Sequence, residues 1–177
     1  MHSNIPVNAQ ITLTPFRTED KAQLVKYLND PVIFQNTSNV PESYTEQDAE
    51  DWLLKVSQRR EQLGIEVSWV IRHQSEGLIG SIGRLAKSGA GGHCDEVGYW
   101  LAAPFRGQGI MSAVVVAFSN SLFETTSLVR IEANAFPHNP ASNRVLEKAG
   151  FEKEGYARKK HLKKGRFIDS VLMARIR

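Results

Sequence analysis

The chain has 177 residues, a formal net charge of +3, 41% hydrophobic residues and 23% charged residues. This length and composition are typical of one globular domain with a sizeable core, so we predict a single domain over residues 1–177. Apolar runs stay well short of the roughly 20 residues that a membrane-spanning helix needs, and the N-terminus has no apolar signal region. The lone cysteine, Cys94, cannot form an internal disulfide, so we expect a cytoplasmic protein without membrane association.

The mild positive charge does not by itself imply a nucleic-acid partner. One dense basic run, RKKHLKKGR at residues 158–166, is compatible with RNA binding. It has no interleaved aromatic residues for base stacking, and we expect a solvated strand or hairpin that turns at Gly165. We therefore do not expect a nucleic-acid partner, and an RNA- or ribosome-binding protein is kept only as an alternative.

In chain order, the first half predicts one strand, two helices and two further strands. The segment QITLTPF alternates polar and apolar residues, which indicates an opening strand, and a short helix follows near residues 21–28. Ser43 and Glu46 have the spacing of a capping box in front of a second, amphipathic helix. The segments EVSWVIRH and GLIGSIGRLA then read as two strands around a turn.

The second half begins with DEVGYWLA, a strand that follows the glycine-rich loop at residues 87–92. A long helix is predicted from Gly107 to about Phe123, followed by the strand VRIEANAF. The next helix is well marked by Asn139 as N-cap, Pro140 at its first position and Gly150 as its stop. The tail predicts two closing strands around Gly165.

This order places antiparallel hairpins around one strand–helix–strand crossover between Val97 and Ala135. The predicted fold class is therefore α+β, with a mixed, mostly antiparallel central sheet and flanking helices, rather than a doubly wound sheet.

The stretch RGQGIM at residues 106–111 joins a strand to the long helix. A helix N-terminus leaves backbone N–H groups without partners and carries partial positive charge, so it favours a phosphate. The two glycines allow close approach of the backbone, and Arg106 offers a charge-assisted hydrogen bond. The stretch has neither the Walker pattern nor the three-glycine dinucleotide spacing, and a plain turn is the alternative.

The segment EVGYWLAAPFRGQGIMS, followed about thirty residues later by NPASNRVLEKAGF, resembles the GNAT acetyltransferase superfamily, most closely its ribosomal-protein N-terminal acetyltransferase branch. The resemblance implies that RGQGIM binds the pyrophosphate of acetyl-CoA through Arg106, Gly107, Gln108, Gly109, Ile110 and Met111. Met111 departs from the superfamily pattern, which has Gly or Ala there. The resemblance also implies that Asn139 contacts the pantetheine arm and that Tyr99, Trp100 and Leu101 hydrogen-bond to it through their backbone.

Acetyl transfer to an amine needs a neutral amine, a polarised thioester carbonyl and stabilisation of the leaving thiolate. The resemblance implies that Glu96 is the base and that the Ser142 hydroxyl faces the sulfur. The alternatives are that Glu96 is a structural carboxylate, that Asn139 caps its helix and that Ser142 is an ordinary first-turn residue. We expect the side chains of Tyr99 and Trp100 to pack in the core.

No metal is predicted, because His93, Cys94, Asp95 and Glu96 are neighbours on a strand and cannot all face one ion.

The pKa of an α-amine, near 8, favours it over lysine as an acceptor, so we expect a protein or peptide N-terminus. A small-molecule amine (polyamine, amino acid or antibiotic) and a non-catalytic acyl-CoA-binding module remain alternatives. The carboxylates of residues 42–51 would suit a polycation, or they are a solvated helix face. Relatives suggest a homodimer.

Overall fold

The computed structural model describes residues 4–86 and 92–177, which form one eight-stranded sheet. Its strands follow the spatial order β1-β2-β3-β4-β5-β6-β8-β7. The strands are β1 (Ile5–Pro6), β2 (Ile11–Pro15), β3 (Ser68–His73), β4 (Gly77–Arg84), β5 (Cys94–Leu101), β6 (Arg130–Ala135), β7 (Glu152–Lys163) and β8 (Arg166–Ile176).

Five α-helices flank this sheet: α1 (Lys21–Leu28), α2 (Pro31–Asn36), α3 (Glu46–Leu63), α4 (Ile110–Thr125) and α5 (Pro140–Lys148). The helices of residues 4–86 and 92–177 are all too short or too polar to cross a membrane. The side chain of Asn139 caps α5 by accepting a hydrogen bond from the Ser142 N–H, and Gly150 follows its end with a φ of 82°. Both limits of this helix agree with the sequence prediction.

The strand–helix–strand crossover is present, since β5 and β6 are parallel and α4 connects them. Within the described residues every other pair of neighbouring strands is antiparallel. The predicted α+β class with a mixed, mostly antiparallel sheet is therefore confirmed. The basic run forms the end of the β7–β8 hairpin, which turns at Lys164 and Gly165, as predicted.

The two faces of the sheet carry separate cores. On one face, α4 and α5 pack against alternate strand residues, with Phe118 of α4 fully buried against Trp69 of β3. On the opposite face, α1, α2 and α3 bury Leu24, Ile33 and Ala49 over the first half of the sheet. Each strand contributes side chains to both cores, because successive side chains along a strand point to opposite faces of the sheet.

Three details differ from the sequence prediction. The structure adds β1 and the six-residue helix α2, which the sequence prediction lacked. The capping box of α3 is formed by Thr45 and Asp48 rather than by Ser43 and Glu46. Finally, α4 begins at Ile110 and not at Gly107, because Gly107 and Gly109 have φ values of 75° and 78°, outside the helical region.

Candidate functional site

The second half of β5 has a free edge. β5 pairs with β6 only from Cys94 to Val97, whereas its pairing with β4 continues to Leu101. The Glu96 carbonyl and the Ala102 N–H both point to the β4 side. Alternation therefore turns the backbone groups of Tyr99 and Leu101 toward the side on which β6 has diverged. This is where the resemblance expects a pantetheine arm to bind.

RGQGIM lies directly beyond this edge and leads into the N-terminus of α4; we call residues 107–111 the glycine cradle. The first helical hydrogen bond of α4 runs from the Ala113 N–H to the Gly109 carbonyl. The N–H groups of the first three helical residues therefore have no acceptor within the helix. A Cβ built on Gly107 or Gly109 would meet no atom within 4 Å, so the space in front of the cradle is open.

Two side chains of this stretch already have structural partners. The Arg106 guanidinium donates to the Leu101 carbonyl at 2.9 Å and forms an ion pair with Asp30 at 2.7 Å. The Gln108 side chain donates to the Pro104 carbonyl at 2.9 Å. Met111 is buried in the core below α4. An anion at this position would therefore be bound by backbone N–H groups at the N-terminus of α4. The Arg106 side chain connects the end of β5 to the start of α2.

Ser142, Asn139 and Tyr99 come together on the α5 side of β5. Asn139 Oδ1 accepts a hydrogen bond from the Ser142 N–H at 3.2 Å, which is the capping alternative for Asn139. The Tyr99 hydroxyl lies 2.8 Å from Ser142 Oγ, and burial raises the pKa of Tyr99 to about 12. Tyr99 does pack against the main core, as expected, but its hydroxyl contact with Ser142 was not predicted. Trp100 packs on the other face, against the core of α1 to α3.

Glu96 is partly buried and lies on the face of β5 opposite to Tyr99. Its charge acts on the imidazole of His161 in β7, where it favours the protonated form. Its neighbour Asp95 points the other way, is buried, and forms an ion pair with the buried Arg84 at 2.6 Å. The structure therefore separates the two predicted catalytic residues onto the two sides of β5, with the open edge between them.

Helix α2 is attached at three points around the carboxyl ends of β5 and β6. Asp30, the N-cap of α2, binds Arg106 beside the glycine cradle. His138, in the loop after β6, donates to the Gln35 carbonyl at 3.4 Å. Lys163, near the tip of the β7–β8 hairpin, donates to the carbonyls of Phe34 and Thr37, and its ammonium lies 3.8 Å from the centre of the Phe34 ring.

The carboxylates around the start of α3 have partners within the chain. Lys21 binds both Glu46 and Glu50, and Asp48 accepts from the backbone and side chain of Thr45. Glu42 pairs with Lys164 of the hairpin. Lys21 supplies one positive charge to two carboxylates, and Asp48 and Asp51 bind the neutral groups of Thr45 and Gln47, so this face keeps a net negative charge. In the described part of the chain, no three His, Cys, Asp or Glu side chains are grouped closely enough to hold a metal.

Three contacts of this site are absent from the sequence prediction: Tyr99 with Ser142, Asp30 with Arg106, and Lys163 with α2. Each joins residues that are far apart in the chain, with separations of 43, 76 and more than 120 residues. The sequence carried one usable signal, the Asp-Pro pair at residues 30–31, which is typical of a helix start.

The family model and the relatives that match this chain are all of N-acetyltransferases. Residues 10–152 match the family model for the acetyltransferase (GNAT) domain. The probable N-acetyltransferase YjcK of Bacillus subtilis (strain 168) is 44% identical over 78 residues, which cover 44% of this chain and 43% of that protein. The [ribosomal protein uS5]-alanine N-acetyltransferase of Escherichia coli (strain K12) is 38% identical over 82 residues, 46% of this chain and 42% of that protein. The match thus spans less than half the length of either relative.

Solved structures extend the likeness to the whole fold. The ribosomal L7/L12 alpha-N-protein acetyltransferase RimL, solved in complex with coenzyme A, superposes with a TM-score of 0.84 at 20% identity, covering 98% of both chains. At this identity the superposition shows a shared fold and nothing finer.

Proposed function

Since the chain belongs to the GNAT acetyltransferase family, we propose that it is an acetyl-CoA-dependent N-acetyltransferase that acetylates a primary amine. The observation that carries this proposal is the free edge of β5 leading directly to the glycine cradle. An extended arm with an amide backbone fits the first feature, and a pyrophosphate fits the second. Acetyl-CoA has both parts joined in this order.

The glycine cradle and the free edge would divide the cosubstrate between them. Backbone N–H groups of Gly107 to Met111 bind the pyrophosphate, aided by the partial positive charge at the start of α4. The backbone of Tyr99 and Leu101 binds the pantetheine arm, and one N–H there polarises the thioester carbonyl. Asn139 is held as a helix cap, so we assign it to the placement of Ser142 in addition to any contact with the arm.

In the proposed reaction the acceptor approaches from the Glu96 side and the thiolate leaves on the Ser142 side. Glu96 accepts a proton from the ammonium of the acceptor, directly or through water, and releases it to solvent. The neutral amine attacks the carbonyl carbon, the C–N bond forms and the C–S bond breaks. The amide nitrogen loses its second proton to Glu96, while the thiolate receives a hydrogen bond from Ser142 and a proton from water.

For the acceptor we propose a protein or peptide N-terminal α-amine. A carboxylate base removes a proton from an α-amine more easily than from lysine, whose pKa is about 10.4. The uS5-alanine N-acetyltransferase among the relatives points in the same direction. We also propose that the protein acts in the cytoplasm. The homodimer stays a prediction.

The test is acetyl-CoA turnover, followed through released CoA thiol, with a panel of N-terminal peptides, polyamines, amino acids and aminoglycosides. Glu96→Gln and Ser142→Ala run alongside, with acetyl-CoA binding measured separately by calorimetry. We expect turnover with N-terminal peptides and a loss of about a hundredfold or more in kcat for each variant, with acetyl-CoA still bound.

Turnover only with small-molecule amines would replace the peptide acceptor by the small-molecule alternative. Acetyl-CoA binding with no turnover on any acceptor would favour the non-catalytic acyl-CoA-binding module. An absence of acetyl-CoA binding would overturn the proposal as a whole.

A further inference from the structure

From the contact between two hydroxyls across the site, we infer that Tyr99 is a positioning residue that fixes Ser142 as a hydrogen-bond donor toward the leaving sulfur. The inference rests on the proposed function, in which Ser142 stabilises the thiolate. The observation behind the inference is the side-chain contact between Tyr99 and Ser142, which the proposed function does not use.

Tyr99 reaches Ser142 from β5, across the interface between the sheet and α5. Its hydroxyl lies 2.8 Å from Ser142 Oγ and 3.4 Å from the Ser142 carbonyl oxygen. The ring is packed against the main core, which limits its rotation. Asn139 meanwhile holds the Ser142 N–H at 3.2 Å. Ser142 is therefore held at its backbone by Asn139 and at its side chain by Tyr99.

The acidities of the two hydroxyls decide which of them donates. A phenol, with an ordinary pKa near 10, is a stronger donor than an aliphatic alcohol, and Ser142 Oγ at 2.8 Å is nearer to it than the Ser142 carbonyl oxygen at 3.4 Å, so we assign the Tyr99 proton to Ser142 Oγ. The proton of Ser142 is then free to point elsewhere.

Tyr99 acts here as a donor and not as a proton source. Burial raises the pKa of its hydroxyl to about 12, so the phenol stays protonated at neutral pH. The same residue presents its backbone N–H at the free edge of β5, where the thioester carbonyl is proposed to bind. One residue thus aligns both groups that act on the thioester: the backbone donor for the carbonyl oxygen and, through Ser142, the donor for the sulfur.

The experiment compares Tyr99→Phe, Ser142→Ala and the double variant in the full chain. Tyr99→Phe removes one oxygen and keeps the ring, so we expect kcat to fall about tenfold while KM for acetyl-CoA changes less than twofold. In the Ser142→Ala background, Tyr99→Phe should have no further effect, because its action passes through Ser142. In a Ser142→Thr background, which restores a hydroxyl, the effect of Tyr99→Phe should return.

Tyr44→Phe is the matched control, because Tyr44 is also buried and its hydroxyl lies 3.3 Å from a backbone carbonyl, that of Asp48. It belongs to the core of α1 to α3, on the other face of the sheet. We expect it to change stability as much as Tyr99→Phe does, and its effect on kcat to be the same with and without the Ser142 hydroxyl.

A second measurement does not depend on turnover. The thiol of bound CoA is titrated by the ultraviolet absorbance of its thiolate, and a donor aimed at the sulfur lowers the pKa of that thiol. We expect Ser142→Ala to raise this pKa and Tyr99→Phe to raise it by a smaller amount. Equal effects of Tyr99→Phe with and without the Ser142 hydroxyl, or an unchanged thiol pKa, would overturn the inference while leaving the acetyltransferase standing. Failure to bind CoA would overturn both.

Discussion

At the scale of single residues, Gly107 and Gly109 have a conformation that the site requires. Their φ values of 75° and 78° lie in the left-handed region, which other residues enter at a cost of roughly 1 kcal/mol. A Cβ at either position would meet no protein atom, so internal packing is not the reason for glycine. The backbone conformation and the open approach to the cradle are the two reasons that remain.

Gly109→Ala should weaken acetyl-CoA binding by more than its loss of stability explains. We expect a loss of about 1 kcal/mol in the free energy of unfolding and, in addition, at least tenfold weaker binding of acetyl-CoA. The matched control is Gly64→Ala, because Gly64 also has a positive φ of 67°, ends α3 and has open space around its Cβ position. Urea unfolding and calorimetric titration measure the two quantities.

Gly64→Ala should show the same loss of stability and unchanged acetyl-CoA binding. If both variants bound acetyl-CoA as the wild type does, the glycines would be turn residues only and the glycine cradle would lose its proposed role.

Sequence reasoning at this scale succeeded for local chemistry and failed for distant partners. The glycines, the Asn139 cap and the buried Met111 follow from turn, cap and helix-face rules within a few residues. For Arg106, the predicted phosphate contact stays a prediction, and sequence reasoning did not name the partners that its side chain has in the structure, Asp30 and the Leu101 carbonyl. The Asp30 contact depends on tertiary geometry, because the two residues are 76 positions apart.

At the scale of elements, α2 is the part that the sequence prediction lacked, for a physical reason. It has six residues, too few to show a helical apolar period or to be stable alone. Its stability comes from tertiary contacts: Ile33 in the core, Asp30 with Arg106, and Lys163 with the carbonyls near its end. The capping box of α3 was misplaced by two residues because both Ser43 and Thr45 have an acidic residue three positions on.

Lys163→Met tests whether the β7–β8 hairpin holds α2 in place. The substitution keeps an unbranched side chain but removes the ammonium that binds the carbonyls of Phe34 and Thr37 and lies over the Phe34 ring. We expect faster amide hydrogen exchange across α2 and a loss of about 1 kcal/mol in the free energy of unfolding.

The adjacent Lys164 provides the comparison, since its ammonium forms an exposed pair with Glu42 and lies farther from the Phe34 ring, at 5.0 Å. Lys164→Met should change the free energy of unfolding by less than about 0.5 kcal/mol and should change exchange in α2 less than Lys163→Met does. Equal exchange rates in α2 for both variants would show that the hairpin contact does not hold this helix.

At the scale of the whole molecule, the divergence of two strands organises the site. β5 and β6 pair for four residues and then separate, so one sheet contains both a continuous core and an open edge. The α4–α5 side of that edge holds Tyr99 and Ser142, and the opposite side holds Glu96 and the β7–β8 hairpin. This division gives the departing thiolate and the incoming amine separate approaches to a thioester bound in the opening.

The hairpin side makes folding sensitive to pH through His161. Its Nε2 is buried and has no hydrogen-bond partner among the described residues, and its ring packs 5.2 Å from that of Phe136. Burial lowers the pKa of His161 below its ordinary 6.5, Lys160 lowers it further, and Glu96 opposes them. The folded state therefore binds a proton at this site less readily than the unfolded chain, and the stabilisation is complete only above about pH 6.5.

We therefore expect the free energy of unfolding to fall as the pH is lowered from about 7 to 5.5, and the fall to be shallower in His161→Phe. Phenylalanine keeps an aromatic ring against Phe136 and cannot be protonated, so it removes the titration and retains the packing. Asp48, Glu154 and Asp169 have lowered pKa values, so they stabilise the folded state above the ordinary pKa of a carboxylate. This stabilisation is lost only as the pH falls into and below that ordinary range, which lies below the window from pH 7 to 5.5. Urea unfolding at several pH values gives both curves. Parallel curves would show that protonation of His161 is not linked to folding, whereas a steeper fall of the wild-type curve below about pH 6.5 would place the linkage on this imidazole.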